Sequence, residues 1–506
     1  MLLIYPPIAK PCEPPAGIAK LSGALSAYGI KHRVLDANIE GLSFLLCQPQ
    51  VRFDTWTSRA YRNLNKNLDA LKTPQIYRNG SRYQRAVMDI NHVLETSVAG
   101  SSTAVSLSNY QHKELSPLRS RDLFAAAEHP EENPFYPYFE QRLTEIMEEG
   151  KITRVGFSLN YLSQALSAFA MIGFFKKRFP EITIILGGGL VTSWMRSGKR
   201  ENPFQGLVDR VVSGPGEYEL LSVHGINNDE RKHFTPDYDL LPLHDYLAPG
   251  IILPYSGSSG CWWNKCSFCP EQAERNPYIP IPAGNVVEDI AMLANKIKPR
   301  LIHMLDNSMT IEHMKAFIRN APAAPWYGFA RVSRELADDD FCMGLKQSGC
   351  VMLKLGLESG DQDVLDAMQK GIDIETASKA LRTLKKTGIA TYVYLIFGTP
   401  VETPASARKT LAFTTRHIDA IDFLNLAIFN MPAYGEEAQQ FGTHHFYEGD
   451  LSLYTDFRHP KGWDRKQVRQ FIEEEFKRHP AIAPVLKQEP PFFGSNHAPF
   501  FVMQED

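Results

Sequence analysis

Short apolar segments alternate with segments of helical apolar spacing along most of the chain, and this alternation restricts the possible fold more than any other feature. In the first half, runs typical of strands lie at 2–7, 33–36, 154–159, 182–186 and 209–212. Helical spacing fills segments between them, as at 17–28 and 163–179. Strands that alternate with helices form a parallel sheet with helices on both faces. The sequence therefore predicts an α/β fold with a doubly wound, Rossmann-like amino-terminal domain.

The same alternation returns in the second half of the chain. An apolar run at 251–253 is followed by candidate strands at 301–305, 326–331, 351–357, 390–397 and 423–429. Helical segments separate them. These repeats predict a partial (β/α)6 barrel of the TIM type.

The predicted domain boundaries follow from these patterns. A chain of 506 residues is long enough for about three domains. The Rossmann-like domain spans 1–227, interrupted at about 48–145 by a polar, aromatic-rich insertion that we expect to be helical. Four prolines among acidic residues at 228–254 predict an ordered linker. The barrel then spans 255–435, and 436–506 form a small carboxy-terminal extension that packs on the barrel.

Composition limits the class of protein and its partners. The net charge of −3 gives no electrostatic argument for binding nucleic acid or an anionic membrane. The amino-terminal run has no basic region and is broken by Pro6 and Pro7, unlike a signal peptide. No stretch approaches the ~18 continuous apolar residues of a membrane span. Seven cysteines, an odd number, do not make a disulfide framework, which predicts a reducing, cytoplasmic location.

Three cysteines lie within nine residues, at Cys261, Cys266 and Cys269, on a loop after the 251–253 strand. Three thiolates can hold three irons of a four-iron–four-sulfur cluster and leave the fourth iron open to a substrate or cofactor. A zinc site completed by a distant histidine or cysteine is an alternative, and unligated thiols are another. The remaining four cysteines, Cys12, Cys47, Cys342 and Cys350, are interpreted as residues without chemistry.

The cysteine loop resembles that of the radical S-adenosylmethionine (SAM) superfamily, whose usual signature is Cys-x3-Cys-x2-Cys. Phe268 matches the aromatic residue before the last cysteine, whereas four residues, 262–265, separate the first two. Residues 354–360 with 368–371 resemble the fourth-strand motif of that superfamily, and 394–400 with Glu402 and Thr403 resemble its strand-end Gly-x-Pro-x-Glu-Thr. The match covers roughly 250–430.

The resemblance implies cofactor-binding roles. Glu358 and Ser359 would lie near the methionine moiety or ribose of SAM, and Gly398 would close a strand end. Arg331, at the end of a strand, is a candidate partner for the cofactor carboxylate, since a guanidinium pairs bidentately with a carboxylate. Trp262 and Trp263 either wall the cofactor site or simply pack.

The amino-terminal half resembles the cobalamin-binding domain fused to many radical enzymes. The resemblance implies cobalamin contacts at the carboxyl ends of the strands, from Pro7, Gly17, Asn38, Gly187, Gly188, Gly189, Thr192, Ser193 and Glu217. The glycines would let backbone approach the corrin, and Thr192 and Ser193 would donate hydrogen bonds to its nucleotide tail. The sequence has no Asp-x-His-x-x-Gly, so no histidine of that motif would ligate cobalt. A nucleotide-type fold that has lost its ligand is the alternative.

The resemblance implies an enzyme that reductively cleaves SAM at the cluster to a 5′-deoxyadenosyl radical. A cobalamin-dependent methyltransferase acting on an unactivated carbon is the leading hypothesis. Alternatives are rearrangement, ring or oxidation chemistry without cobalamin, and an iron–sulfur electron carrier or sensor. An external electron donor such as flavodoxin or ferredoxin is expected. The substrate, a small molecule or peptide, cannot be inferred from the sequence.

Two carboxy-terminal features complete the predictions. His444 and His445, followed by Glu448 and Asp450, are interpreted as a solvated loop rather than a second metal site. The aromatic string at 490–501 is unlike a disordered terminus, and we expect it to pack over the barrel mouth.

Overall fold

The computed structural model describes residues 1–196, 202–226, 232–444, 449–490 and 497–502. These residues form two compact units. The first consists of 1–251 together with 449–453, and the second of 252–444, 454–490 and 497–502.

A parallel sheet of five strands is the centre of the first unit, in the order β2-β1-β5-β6-β7. Its strands are β1 Leu2–Tyr5, β2 Arg33–Asp36, β5 Arg154–Ser158, β6 Thr183–Gly187 and β7 Arg210–Val211. A small antiparallel hairpin is made by β3 Thr103–Val105 and β4 Tyr110–His112. The first strand is buried over its whole length because it is covered on both faces, as expected for an apolar run in a parallel sheet. The predicted doubly wound fold is confirmed.

Ten helices of the first unit are described. They are α1 Ala16–Ala27, α2 Ala37–Leu46, α3 Thr55–Leu71, α4 Pro74–Tyr77, α5 Gly80–Ser97, α6 Ser120–Glu128, α7 Tyr136–Glu149, α8 Leu162–Arg178, α9 Gly189–Arg196 and α10 Glu217–Val223. The stretch expected as a helical insertion holds α3 to α7 together with the β3–β4 hairpin.

The segment expected to be a linker lies against the first unit over its described residues. The amide of Asp237 donates to the carbonyl of Ala19, and the amide of Leu247 donates to the carbonyl of Pro11. The buried hydroxyl of Tyr246 donates to Asp36 at 2.6 Å. These bonds fix the path of the chain up to the first barrel strand.

The second unit is built on a six-stranded parallel sheet in the order β8-β11-β12-β13-β14-β15. Its strands are β8 Ile252–Tyr255, β11 Leu301–Met309, β12 Trp326–Ala330, β13 Cys350–Glu358, β14 Ala390–Phe397 and β15 Phe423–Ile428. Shorter strands are β9 Ser258–Ser259, β10 Ile279–Pro280, β16 Met431–Pro432, β17 Thr443–His444 and β18 Tyr454–Phe457. These six parallel strands, with helices between them, confirm the predicted partial barrel.

Eleven helices of the second unit are described. They are α11 Pro270–Ala273, α12 Ala283–Ile297, α13 Ile311–Arg319, α14 Asp339–Gln347, α15 Gln362–Ala367, α16 Ile374–Thr387, α17 Pro404–Arg416, α18 Glu436–Gln440, α19 Arg465–Phe471, α20 Ala483–Gln488 and α21 Pro499–Val502. A single π-helical turn, Ile472–Phe476, continues α19.

The described end of the chain contradicts the expectation that the aromatic string covers the barrel mouth. The ring of Phe501 packs edge-on against Phe423, the first residue of β15, and His497 lies against Phe423 and Tyr392. These contacts are near the amino-terminal ends of the strands, whereas the mouth is at their carboxyl ends. Phe492 and Phe493 lie outside the described residues.

Of the two adjacent histidines in the extension, His444 is described, and its side chain contacts a carboxylate. His444 pairs with Asp456 at 3.2 Å, whereas Asp450 accepts hydrogen bonds from Ser120. His445 and Glu448 lie outside the described residues.

Candidate active site

The loop that carries the three cysteines is anchored where it leaves β8. The buried Asp306, on β11, accepts hydrogen bonds from the amide of Gly257 at 3.0 Å and from the hydroxyl of Ser258 at 2.6 Å. Because one carboxylate holds two successive residues, the start of the loop is fixed to the barrel. Asp306 was not predicted from the sequence, because it belongs to none of the motifs that resemble the superfamily.

The middle of the loop is held by the turn at 368–371. The amide of Ser267 donates to the carbonyl of Met368, and the indole of Trp263 donates to the carbonyl of Gln369 at 3.0 Å. The ammonium of Lys370 lies 5.5 Å from the ring centroid of Phe268. The two segments that resembled superfamily motifs therefore contact each other directly.

The three thiols interact with one another and with two cations. Burial raises the pKa of Cys266, while the charges of Lys370 and Arg331 oppose this. Burial also raises the pKa of Cys269 to about 11, and the charges on Cys266 and Cys261 act in the same direction. Because burial opposes ionisation of Cys266 and Cys269, a bound metal would supply the positive charge that their thiolates need.

Glu358 ends β13 in a strained conformation beside the cysteine loop. Its φ angle is +70°, in the left-handed region that residues with side chains rarely adopt. Its carboxylate accepts a hydrogen bond from Lys370 at 2.9 Å, and both side chains are nearly buried. Strain that is held by a buried ion pair is typical of functional sites. Lys370 was included in the predicted motif at 368–371, but no role was predicted for its side chain.

Arg331 follows β12 and reaches the same cluster. Burial lowers the pKa of its guanidinium, while the nearby Cys266, Cys261 and Glu358 oppose this shift. Its Nη2 atom is buried and makes no hydrogen bond within the protein. An orphaned guanidinium donor beside the thiols fits the carboxylate of a small anionic ligand.

The geometry differs from that of a single-ion site. Within the described parts of the chain, no three His, Cys, Asp or Glu side chains are placed to hold one metal ion. A four-iron cluster attaches each thiolate to a different iron, so its ligands are spread more widely than those of one ion. The donor set of three thiols with two nearby cations fits such a cluster.

Two predicted site residues have other roles in the structure. Ser359 is fully buried, and its hydroxyl contacts Thr410 at 3.1 Å and accepts from the amide of Asp361 at 3.2 Å. Gly398 has a φ of +82°, and its amide donates to the buried Glu402. Both residues hold turns at the carboxyl ends of the strands and do not present a group to the thiols.

Several residues proposed for the cobalamin-type edge are also engaged inside the first unit. The side chain of Asn38 donates to and accepts from the backbone of Ala9. The hydroxyl of Thr192 donates to the carbonyl of Gly188 and accepts from the amide of Gly214. Since that hydroxyl proton is already used, Thr192 does not offer the donor that was expected of it.

The remaining residues at this edge divide into internal and exposed positions. Glu217 is buried and pairs with Lys20 at 2.8 Å, and Pro7 is buried. Gly188 has a φ of +110°, and a Cβ atom there would strike the backbone of Leu159, so its glycine serves the packing of two strand ends.

Exposed backbone and apolar side chains nevertheless meet at the carboxyl edge of this sheet. Gly17 and Gly189 are exposed at the amino-terminal ends of α1 and α9, whereas Gly187 and Ser193 are half-buried. After β5, Tyr161 and Leu162 are 54% and 38% exposed. This edge offers glycine backbone and apolar surface to a ligand, as expected at the strand ends of a doubly wound sheet.

Residues 255–414 match the family model of the radical SAM superfamily. These residues form a radical SAM domain. The three cysteines, Arg331, Glu358 and Lys370 all lie within it. Such a domain uses a four-iron–four-sulfur cluster and SAM, so both cofactor predictions are confirmed and the zinc alternative loses its support. The predicted resemblance to this superfamily is thus confirmed for the domain at 255–414.

Curated relatives match this chain over part of their own length. An uncharacterized methyltransferase of Pyrococcus horikoshii is 24% identical over 293 residues, which are 50% of this chain and 62% of that protein. An anaerobic magnesium-protoporphyrin IX monomethyl ester cyclase of Rubrivivax gelatinosus is 23% identical over 344 residues, 59% of this chain and 60% of that one. The chain thus spans about three fifths of the length of these relatives.

Solved structures share the fold at low sequence identity. The radical SAM methyltransferase TsrM from Kitasatospora setae, with tryptophan and a SAM analogue bound, has a TM-score of 0.58 at 14% identity and covers 97% of this chain and 89% of that one. The cobalamin-dependent radical SAM enzyme OxsB, with aqua-cobalamin and SAM bound, has a TM-score of 0.53 at 14% identity, with coverages of 87% and 54%. The fold of this chain is therefore shared with these two solved radical SAM enzymes.

Two further predictions are met within the described residues. None of the described helices has the length and apolar character needed to cross a membrane. Cys342 and Cys350 are fully buried, and burial raises the pKa of Cys342 to about 12, so both thiols are inert.

Proposed function

We propose that the protein is a cobalamin-dependent radical SAM methyltransferase that modifies an unactivated carbon of its substrate. The observation that supports this most strongly is the meeting of three thiols, Arg331 and the Lys370–Glu358 pair at one loop of the barrel. The first unit adds a doubly wound sheet with an exposed carboxyl edge. An iron–sulfur carrier would need neither the orphaned guanidinium nor the strained glutamate.

Cys261, Cys266 and Cys269 would hold three irons of the cluster, and SAM would occupy the fourth. When bound, the cluster and SAM supply a 5′-deoxyadenosyl radical, and cobalamin supplies the methyl group. Arg331 would receive the SAM carboxylate on its free Nη2, and Glu358 would lie near the methionine moiety or ribose. The buried surroundings of these groups exclude water from the reacting atoms.

Cobalamin would bind at the carboxyl edge of the first sheet. Gly17 and Gly189 would let the corrin approach backbone, and the apolar surface of Tyr161 and Leu162 would contact its ring. Nothing in the sequence supplies the histidine motif that ligates cobalt from below. An external one-electron donor such as flavodoxin or ferredoxin would reduce the cluster in a reducing cytoplasm.

A second candidate is ring or rearrangement chemistry at the same site. The relative from Rubrivivax gelatinosus carries the name of a cyclase, and the site residues described above do not distinguish the two reactions. The carbon that the radical attacks, and hence the substrate, decides between them.

Anaerobic reconstitution with iron, sulfide, reductant and SAM tests the proposal. We expect 5′-deoxyadenosine or S-adenosylhomocysteine to form, and hydroxocobalamin to remain bound after desalting. A variant with Cys266→Ala should retain the corrin but lose SAM cleavage, because the two cofactors are bound by different units. Absence of any nucleoside product under all conditions would favour the carrier, and a colourless desalted protein would favour chemistry without cobalamin.

A further inference from the structure

Trp263, in the cysteine loop, lies directly against the guanidinium of Arg331. The Arg331 Cζ atom is 3.9 Å from the ring centroid of Trp263, and 6.0 Å from that of the neighbouring Trp262. Cations within ~6 Å of an aromatic face are attracted to it, most strongly at short distance and low exposure. Trp263 is half-buried, whereas Trp262 is 37% exposed, so the close contact is also the better shielded one.

The indole is itself fixed by the turn at 368–371. Its Nε1 donates to the carbonyl of Gln369 at 3.0 Å. Gly371, two residues after Gln369 in the same turn, has a φ of +61°. A Cβ atom there would lie 2.6 Å from Cη2 of the indole and 3.0 Å from Nη2 of Arg331. Only glycine therefore leaves room for the ring and the guanidinium to stack at this turn.

The longer spacing between the first two cysteines accommodates this arrangement. Asn264 is exposed and has a φ of +42°, in the left-handed region that asparagine tolerates better than most residues. The chain turns there, between the stacked Trp263 and the exposed Lys265, whose Nζ lies 5.0 Å from the Trp263 ring centroid. The four-residue spacing between Cys261 and Cys266 thus includes a turn beside the Trp263 ring.

We propose that Trp263 is a positioning residue that holds Arg331 in the orientation that binds the carboxylate of SAM. This rests on the proposed function, in which SAM occupies the open iron. Stacking uses the face of the guanidinium, whereas its hydrogen-bond donors lie in the plane and point outward. The Nη2 donor accordingly stays buried and without a protein partner. A guanidinium already held on a ring also loses less rotamer freedom when the ligand binds.

Anaerobic binding of SAM to the reconstituted protein tests the proposal. The dissociation constant is measured by calorimetry, and binding is followed independently by the change in the electron paramagnetic resonance spectrum of the reduced cluster. Trp263→Phe keeps an aromatic face, and Trp263→Leu keeps apolar bulk without one. We expect Trp263→Leu to weaken SAM binding about tenfold and Trp263→Phe to stay within about threefold of wild type. Trp262→Leu is the matched control and should resemble wild type.

Arg331→Ala in both backgrounds shows whether the ring acts through the guanidinium. We expect Trp263→Leu to have no further effect once Arg331 is removed, because the two residues form one unit. Equal binding by the Phe and Leu variants, or an undiminished effect of Trp263→Leu in the Arg331→Ala protein, would overturn the proposal. A Trp263→Leu protein that binds less iron than wild type would assign the ring to loop structure and overturn it equally. A wild-type protein that does not bind SAM would instead refute the proposed function.

Discussion

Single side chains around the cysteine loop combine charge with backbone strain. The Glu358 carboxylate and the Lys370 ammonium lie 2.9 Å apart, with only 14% and 10% of their side chains exposed. Removing one partner of a nearly buried pair leaves an uncompensated charge, which costs more than the pair contributes. We expect Lys370→Met to lower the free energy of unfolding by about 3 kcal/mol. Thermal denaturation under anaerobic conditions, followed by circular dichroism, measures the loss.

The double variant separates charge from packing at this pair. Lys370→Met with Glu358→Gln should recover much of the lost stability, because no charge is then left unpaired. Lys386→Met is the surface control, since Lys386 and its partner Asp339 are both exposed and we expect no change in stability. If the double variant is as unstable as Lys370→Met alone, the lost stability comes from packing and not from an unpaired charge.

At the level of elements, the end of β14 is joined to the carboxy-terminal extension through a buried carboxylate. Glu402 is 1% exposed and accepts hydrogen bonds from the amide of Gly398 at 2.5 Å and the indole of Trp463 at 3.0 Å. Close by, His459 donates from Nε2 to the carbonyl of Thr399 at 2.8 Å. These bonds place α19 beside the turn after β14, where a Cβ atom at position 398 would lie 3.1 Å from a methyl group of Val468.

This carboxylate makes stability depend on pH. Burial raises the pKa of Glu402 to about 7 from its usual 4.5, although both hydrogen bonds oppose the shift. Between these values the folded protein binds a proton that the unfolded chain releases, so stability falls as pH rises from about 4.5 to 7. We expect Glu402→Gln to flatten this part of a plot of melting temperature against pH. The exposed Glu436→Gln should leave the profile unchanged, and an unaltered slope in the Glu402 variant would contradict the assignment.

Elements and site residues differ in how far the sequence predicts them. Buried parallel strands are short, largely apolar runs, which is why β14 was predicted to the residue. The edge strand β2 was also predicted to the residue, although only its two middle residues are apolar. The cysteines and Glu358 were predicted because a motif carries them, and Arg331 was predicted because it lies at the end of a strand. Asp306, Lys370 and Trp463 act through partners 49, 12 and 61 residues away, and such pairings leave no periodic signal. The internal hydrogen bonds of the Ser359 and Thr192 hydroxyls could not be predicted, because residue type alone does not indicate where a hydroxyl points.

For the whole molecule, the path of the chain differs from the simple order of domains expected from the sequence. The extension was expected to pack on the barrel, yet residues 449–453 belong to the first unit. There the amide of Leu451 donates to the carbonyl of Leu118, and Gly449 packs so closely on Leu118 that no Cβ would fit. A segment near the end of the chain thus completes a unit that begins at residue 1, which makes a cut at 435 an unsuitable boundary for fragments.

Asp450 caps the start of α6 through this long-range connection, and its contribution to stability can be measured. Its carboxylate accepts from the amide of Ser120 at 2.8 Å and from its hydroxyl at 2.7 Å, at the start of α6. The residue before that helix, Arg119, provides no side-chain cap, so Asp450 supplies the negative charge that a helix amino terminus favours.

We expect Asp450→Ala to accelerate hydrogen exchange at the first turn of α6 about fivefold, corresponding to about 1 kcal/mol of capping. Asp456→Ala removes the partner of the exposed His444 and an acceptor for the amide of Phe457, and it should leave that turn unchanged. Acceleration spread evenly over the first unit would mean that Asp450 stabilises the unit as a whole instead of capping α6.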